Sequence, residues 1–317
     1  LDMFFFLVVM VMLTFIRGRS QKAAICLFLP LVAILLHYTV PSQADGKFHL
    51  TMLSVGQGES LLVRMPDGRS MLVDGGGYLH DTGRDFGERI LAPALFKLGV
   101  DRIDIMVMTH SHPDHIGGLP FVTDNFPVGE FWEGAPGGAG KLYERLRTVL
   151  NAKAVPVRSL AAGDVLEPSQ GIFMTILSPP RMVTKQAGED IDDMGMNEDS
   201  LVFRLSFGAT SIMFSADTGF PSENRILRRS GNINSTVLKV GHHGSRFSTS
   251  ELFLNRVAPE IALISAGHGN NFGLPSTRIV SLLAKRGIRT YRTDIDGTVE
   301  LVSDGRTWRI ATPYRVE

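Results

Sequence analysis

Thr109-His110-Ser111-His112-Pro113-Asp114-His115-Ile116-Gly117-Gly118 places three histidines and an aspartate within six residues, directly after the apolar segment Ile103–Met108. That segment reads as a buried strand, so the cluster falls where a strand ends and a helix begins. A turn of this kind aims several side chains at one point. Imidazole and carboxylate together suit a borderline divalent metal such as zinc, and manganese or iron less selectively. His110 and His112, two apart, are placed to clamp one ion, and the adjacent Asp114 and His115 to hold a second. The alternative is a polar loop with coincidental histidines, which this density of ligand-type residues argues against.

Three further stretches repeat the pattern of a strand delivering polar groups to its end. Met71-Leu72-Val73-Asp74-Gly75-Gly76-Gly77 is an apolar strand ending in an aspartate and three glycines, a sequence that also serves as an ordinary turn. Ser211-Ile212-Met213-Phe214-Ser215-Ala216-Asp217-Thr218-Gly219 delivers a carboxylate, which read alone is equally a helix N-cap before Pro221. Val237-Leu238-Lys239-Val240-Gly241-His242-His243-Gly244-Ser245 ends in a histidine pair.

The H-x-H-x-D-H pattern with these companions resembles the metallo-β-lactamase superfamily. The resemblance implies that Asp74 orients a ligand from behind, that Asp217 bridges two metal ions, and that one histidine of the pair is the last ligand. Position after the strand and glycine favours His242 as that ligand, leaving His243 for the substrate or leaving group. The pattern departs from the superfamily before the strand 201–207, where a histidine is usual. No histidine occurs between His115 and His242, and the place reads Asn197-Glu198-Asp199-Ser200. Asn197 is the expected stand-in, with Asp199 the second candidate; either is a harder ligand than imidazole and moves preference toward manganese or magnesium.

A narrower resemblance rests on Leu53-Ser54-Val55-Gly56-Gln57-Gly58-Glu59-Ser60, on 238–245, and on Ile264-Ser265-Ala266-Gly267 followed by Asn270-Asn271-Phe272-Gly273. Together they resemble the C-terminal domain of the ComEC family, membrane proteins through which competent bacteria import DNA, from about Phe48 to Ile310. Leu274-Pro275 stands where that family commonly has His-Pro, and His268 reads as an exposed loop residue.

The N-terminus agrees independently. Residues 3–16 are an unbroken apolar run, and residues 23–40 are a second, interrupted by Pro30 near its middle. A helix crosses a bilayer in roughly 17–25 residues, so the second run is long enough. The first is short, and Leu1 in place of Met reads as a start partway through a membrane helix. A signal peptide is the alternative, disfavoured because no basic segment precedes the first run. Arg17, Arg19 and Lys22 between the runs mark the cytoplasmic side. The expected organisation is therefore residues 1–45 as the end of a channel region with two transmembrane helices, then residues 46–317 as a hydrolase domain outside the bacterial cytoplasmic (inner) membrane.

Composition bounds this reading. The 317 residues carry zero formal net charge, so no global field recruits nucleic acid. Arg225, Arg228 and Arg229, and then Lys285, Arg286, Arg289 and Arg292, form local basic groups; the first, on an expected helix after Asp217, either tracks phosphates near the metals or coats a solvated helix face. The one cysteine, Cys26, lies in the second apolar run, which leaves metal binding to His, Asp and Asn. Coarse periodicity predicts strands at 49–55, 60–65, 70–74, 103–108, 201–207, 298–302 and 307–311, and helices at 89–98 and 141–150. It also predicts a long non-periodic loop over 179–198. Periodicity gives only mixed α/β; an αββα sandwich with the metals at its open edge is what the resemblance implies.

The expected chemistry is two divalent ions, zinc or manganese, held by His110, His112, Asp114, His115, Asn197, Asp217 and His242. A bound ion makes water acidic enough to supply hydroxide at neutral pH, and the catalytic step is expected to rest on Asp114, Asp217 and His243. The ComEC resemblance implies cleavage of the DNA strand that is not imported, with single-stranded DNA, the membrane and the rest of the uptake machinery as partners. Trp132 and Phe131 are candidates to stack on bases, with core packing equally open for Phe131. Two other functions share the same residues: an exported phosphodiesterase acting on a wall choline-phosphate or teichoic ester, and a non-catalytic DNA-binding or gating module.

Overall fold

Ile103–Met108 is indeed a strand, and all but Asp104 of its residues are buried, because it lies inside a sheet covered on both faces. In the computed structural model the described residues are Gly18, 44–78, 83–135, 137–181 and 193–314. Both apolar N-terminal runs lie outside them. Among the described residues no helix is long and apolar enough to cross a membrane.

The strands in chain order are β1 (Phe48–Met52), β2 (Leu61–Arg64), β3 (Ser70–Val73), β4 (Ile103–Met108), β5 (Val128–Gly134), β6 (Val157–Leu160), β7 (Val165–Ser169) and β8 (Ile172–Ser178). They continue as β9 (Val202–Phe207), β10 (Thr210–Phe214), β11 (Val237–Lys239), β12 (Ile261–Ile264), β13 (Arg289–Arg292), β14 (Thr298–Ser303) and β15 (Trp308–Tyr314). One sheet has the order β15-β14-β1-β2-β3-β4-β5-β6 and the other β13-β12-β11-β10-β9-β8-β7.

Three apolar layers follow from the alternation of side chains along these strands. Leu50, Val63, Val73, Ile105 and Val107 from the first sheet share one buried cluster with Met174, Phe203, Leu205, Phe214 and Leu263 from the second. Phe203 and Phe214 stack there with ring centroids 4.5 Å apart. The other face of the first sheet, with Leu62, Leu72 and Met106, packs on Leu91, Leu95, Leu119, Leu146 and Leu150 of its helices. The other face of the second, with Met213, Leu238 and Ala262, packs on Ile226, Phe253, Ile279 and Leu283. The layering is α, β, β, α.

Each sheet contains a parallel run, β3 to β6 in the first and β10 to β13 in the second. Parallel strands bring their carboxyl ends to one edge, where loops are free to carry function. Asp74, the histidine cluster, Asp217 and the histidine pair follow β3, β4, β10 and β11 respectively.

Several expectations need correction. The helix expected over 89–98 is a π-helical turn, Gly87–Leu91, running into an α-helix, Ala92–Lys97, with Pro93 at the junction between them. The last part of the expected 179–198 loop, Asp193–Glu198, is helical; residues 182–192 fall outside the described residues. β6 and β7 were not foreseen, because their short segments mix apolar residues with Arg, Glu, Pro and Ser, nor was β8, whose outward face carries Phe173 and Leu177. Phe131 and Trp132 lie within β5, 0% and 3% exposed, so neither presents a face to a base. Arg225 is bound to the carbonyl of Glu198 and to Ser222 Oγ and braces the end of that short helix. Arg286 and Arg292 pair with Glu251 and Asp294.

Candidate metal centre

Pro113 opens the helix Pro113–Ile116 at its first position, where a ring-fixed φ is already helical, with His112 as its N-cap. Asp114 and His115 therefore fall in the first turn, directly after the strand. Gly77 is required beneath them: a Cβ there would lie 1.8 Å from the carbonyl oxygen of Pro113. Gly58, at φ +152, seats a second loop against the same turn, where a Cβ would lie 2.5 Å from the Asp114 carbonyl oxygen.

Asp74 is fully buried at φ 59, a left-handed conformation that aspartate tolerates better than most residues. Its carboxylate accepts from the Thr109 N–H (2.8 Å) and hydroxyl (2.7 Å), and from His115 Nδ1 (2.7 Å). That fixes the His115 tautomer and turns Nε2 outward, 3.4 Å from Asp217 Oδ2. Because the Thr109 proton goes to Asp74, its oxygen accepts from His110 Nδ1 at 3.1 Å. His110 Nε2 is left 3.1 Å from His112 Nδ1.

On the other sheet, His243 Nδ1 donates to the Ser265 carbonyl (2.9 Å), so its Nε2 faces Asp114 Oδ2 at 3.5 Å and Asp217 Oδ2 at 3.4 Å. Three overlapping groups can each hold an ion: His110, His115 and Asp217; Asp114, His115 and His243; and Glu59, Asp217 and His243. Two nitrogen ligands of one tetrahedral zinc lie about 3.3 Å apart, given bonds of about 2.0–2.1 Å, and the contacts above cluster around that value. His115 Nε2, His243 Nε2 and Asp217 Oδ1 are buried without a hydrogen-bond partner, which is the condition of ligand atoms waiting for a cation.

Electrostatics points the same way. Burial opposes charge on His243, yet the Asp217 and Asp114 carboxylates overcome it and push the imidazole up to about 10. Burial likewise opposes charge on His115, and Asp217 and Asp74 raise it well above its ordinary value. Asp217 is held well below the carboxylate range by His243 and His115 against the cost of its burial. The centre favours positive charge, and the residues fit a divalent cation. His110 is different: burial and then the His115 charge lower it well below its ordinary value, leaving a neutral imidazole suited to ligation.

The histidine pair departs from the expected order. His243 belongs to two of the three groups and His242 to none; His242 Nε2 is 3.9 Å from Asp217 Oδ2, with its side chain 36% exposed. The physical reason is local. Both residues adopt left-handed φ/ψ (48°, 51° and 52°, 23°), so the alternation expected from extended backbone does not apply. Asp217 is no N-cap, since the helix Phe220–Arg229 starts three residues later with Gly219 at its cap. Asn197 lies in the helix Asp193–Glu198, its Oδ1 buried and without a hydrogen-bond partner, while Asp199 lines a cleft with His110, Ser111 and Met196. His268 is exposed, with Nδ1 on the Asp294 carbonyl.

Sequence reasoning passed over Glu59 and Lys239, which meet as a buried ion pair beside Asp217. The signal available was a lysine inside an otherwise apolar strand.

Comparison with known proteins identifies the superfamily. The profile of the Metallo-beta-lactamase superfamily matches residues 53–268. The chain is 30% identical over 275 residues to the ComE operon protein 3 of Bacillus subtilis, covering 83% of this chain and 34% of that protein. It is 29% identical over 272 residues to the competence protein ComA of Neisseria gonorrhoeae, covering 85% and 34%. The chain thus spans about a third of the length of these relatives. Among solved structures, Zn(2+)-bound PqqB from Methylobacterium extorquens aligns with TM-score 0.48 at 14% identity, over 79% of this chain and 99% of that one.

Proposed function

The chain belongs to the metallo-β-lactamase superfamily, and from that premise we propose that it is a metal-dependent phosphodiesterase acting on DNA in a bacterial uptake system. The observation that carries the hydrolytic part is the convergence of Asp114, His115, Asp217 and His243, from loops on both sheets, with buried ligand atoms left unpartnered. The similarity to competence proteins supports the choice of DNA. In this reading the domain lies outside the cytoplasmic membrane and degrades the strand that is not imported, with the uptake channel as its partner.

Asp114, His115, Asp217 and His243 would hold one divalent ion, zinc or manganese, and His110 and His112 would serve a second together with Asp217. Such ions supply an acidified water and neutralise charge that grows on the phosphoryl oxygens. Asp74 keeps His115 in one tautomer, and the Ser265 carbonyl does the same for His243. In this reading His242, at the rim with its ring nitrogen 3.9 Å from Asp217 Oδ2, would give a proton to the departing sugar oxygen. The roles of the two histidines are thus exchanged relative to the order favoured by position alone.

Hydrolysis of bis(4-nitrophenyl) phosphate beside a chromogenic β-lactam, with each metal added separately, tests the reaction class. The diester should be cleaved and the lactam not. Lactam turnover without diester turnover overturns the assignment.

A further inference from the structure

Glu59 and Lys239 are 1% and 0% exposed, and their ion pair joins the loop before β2 in one sheet to the end of β11 in the other. Lys239 Nζ also donates to the Val240 carbonyl at 2.9 Å. The Glu59 carboxylate lies with Asp217 and His243 in a group whose ligand atoms are all within 4.8 Å of one another, and its Oε1 accepts no hydrogen bond. Its backbone is fixed from two sides: the N–H donates to the Asp114 carbonyl (3.0 Å), and the carbonyl accepts from the Gly76 N–H (2.7 Å). A buried ion pair rarely repays its desolvation through stability alone, so its position against the metal-holding residues calls for a reason.

We propose that Lys239 is a resident counter-charge that restrains Glu59, and that this pair sets the cation affinity of the centre. Glu59 is a carboxylate in reach of the ion position, partly neutralised by an ammonium that cannot leave. The inference rests on the metal-holding part of the reading above and is independent of the substrate.

Charge gives the two single substitutions opposite signs. Lys239→Met leaves a buried carboxylate beside Asp217 with no counter-ion, which a divalent cation relieves. Glu59→Gln leaves a buried ammonium beside the same position, which repels the cation. Removing both members restores neutrality. A pair that served only to pin the two sheets together would weaken metal binding in both single variants alike.

The test is the zinc and manganese dissociation constant of the full 317-residue chain, measured by competition with a chromogenic chelator. Circular dichroism confirms the fold of each variant. We expect Lys239→Met to bind at least about tenfold more tightly than wild type and Glu59→Gln at least about tenfold more weakly. The double variant Glu59→Gln/Lys239→Met should return to within about threefold. Weaker binding in both single variants, or no change in either, overturns the proposal. If Lys239→Met alone fails to fold, the Glu59→Gln and double-variant comparison decides it, since the proposal requires the second change to restore affinity lost in the first. A wild-type chain that binds neither metal overturns the metal centre and this proposal with it.

Discussion

At the scale of single residues, what a side chain can do here is decided by what its far nitrogen or oxygen is tied to. His115 and His243 each spend Nδ1 on an acceptor, Asp74 and the Ser265 carbonyl, and present Nε2 to a carboxylate. His242 is half open to solvent at the rim. His243→Ala should therefore abolish tight metal binding, whereas His242→Ala should keep the metal and lose about 10²–10⁴-fold in kcat, the range for a positioned proton donor. Metal content by atomic absorption beside kcat separates the two; equal metal loss in both would show that the rim histidine is also a ligand. Asp74→Asn should weaken metal affinity about 10–100-fold by loosening His115. The types of these residues were legible in the sequence, because His110, His112, Asp114 and His115 crowd four ligand-type side chains into six positions after an apolar strand. The order of the histidine pair was not, since two consecutive left-handed residues leave no trace in residue identity.

At the scale of elements, the central strands were legible because they are mostly apolar, and the glycines mark where loops press together. Gly77→Ala should cost about 1–3 kcal/mol or more, since its Cβ would collide with the Pro113 carbonyl and displace the turn carrying Asp114 and His115. Gly231→Ala, with open space around the new methyl, should be close to neutral. Urea denaturation of both variants checks the contrast, and equal effects would contradict it. β6 and β7 escaped notice because short strands with polar residues have no clear period, and β8 because its outward face carries Phe173 and Leu177, which masks its alternation in the sequence. The pairing of β1 with β14 joins strands distant in sequence and adds a titrating contact, His49 Nδ1 with Glu300, 251 residues on, at 2.8 Å. Glu300 raises His49 above its ordinary 6.5 against the effect of burial, helped by Asp45, and His49 in turn lowers Glu300 below its ordinary 4.5. The histidine contribution is complete below its unfolded value and fades as pH rises through the folded one. The glutamate contribution is complete above its unfolded value and fades as pH falls through the folded one. The Tm gap between wild type and His49→Gln should be widest between about pH 4.5 and 6.5 and close as pH rises through the raised histidine value; a gap flat across pH would contradict the pair.

At the scale of the whole molecule, two parallel runs in facing sheets deliver their loops to one edge, and the centre exists only because both contribute. Asp114 and His115 come from the first sheet, Asp217 and His243 from the second. That convergence is a long-range property of the fold; in the sequence it showed only as the same pattern recurring in separate segments. The expected membrane runs lie outside the described residues, and the chain covers about a third of its competence relatives, so the channel belongs to the proposal. Cleavage of end-labelled single- and double-stranded DNA by the full chain tests that proposal most directly, with zinc, manganese and magnesium supplied separately and Asp217→Ala as control. The account predicts metal-dependent breakage, faster on single strands, that disappears in Asp217→Ala. Intact DNA under every metal, from a protein shown to have bound the ion, would contradict it.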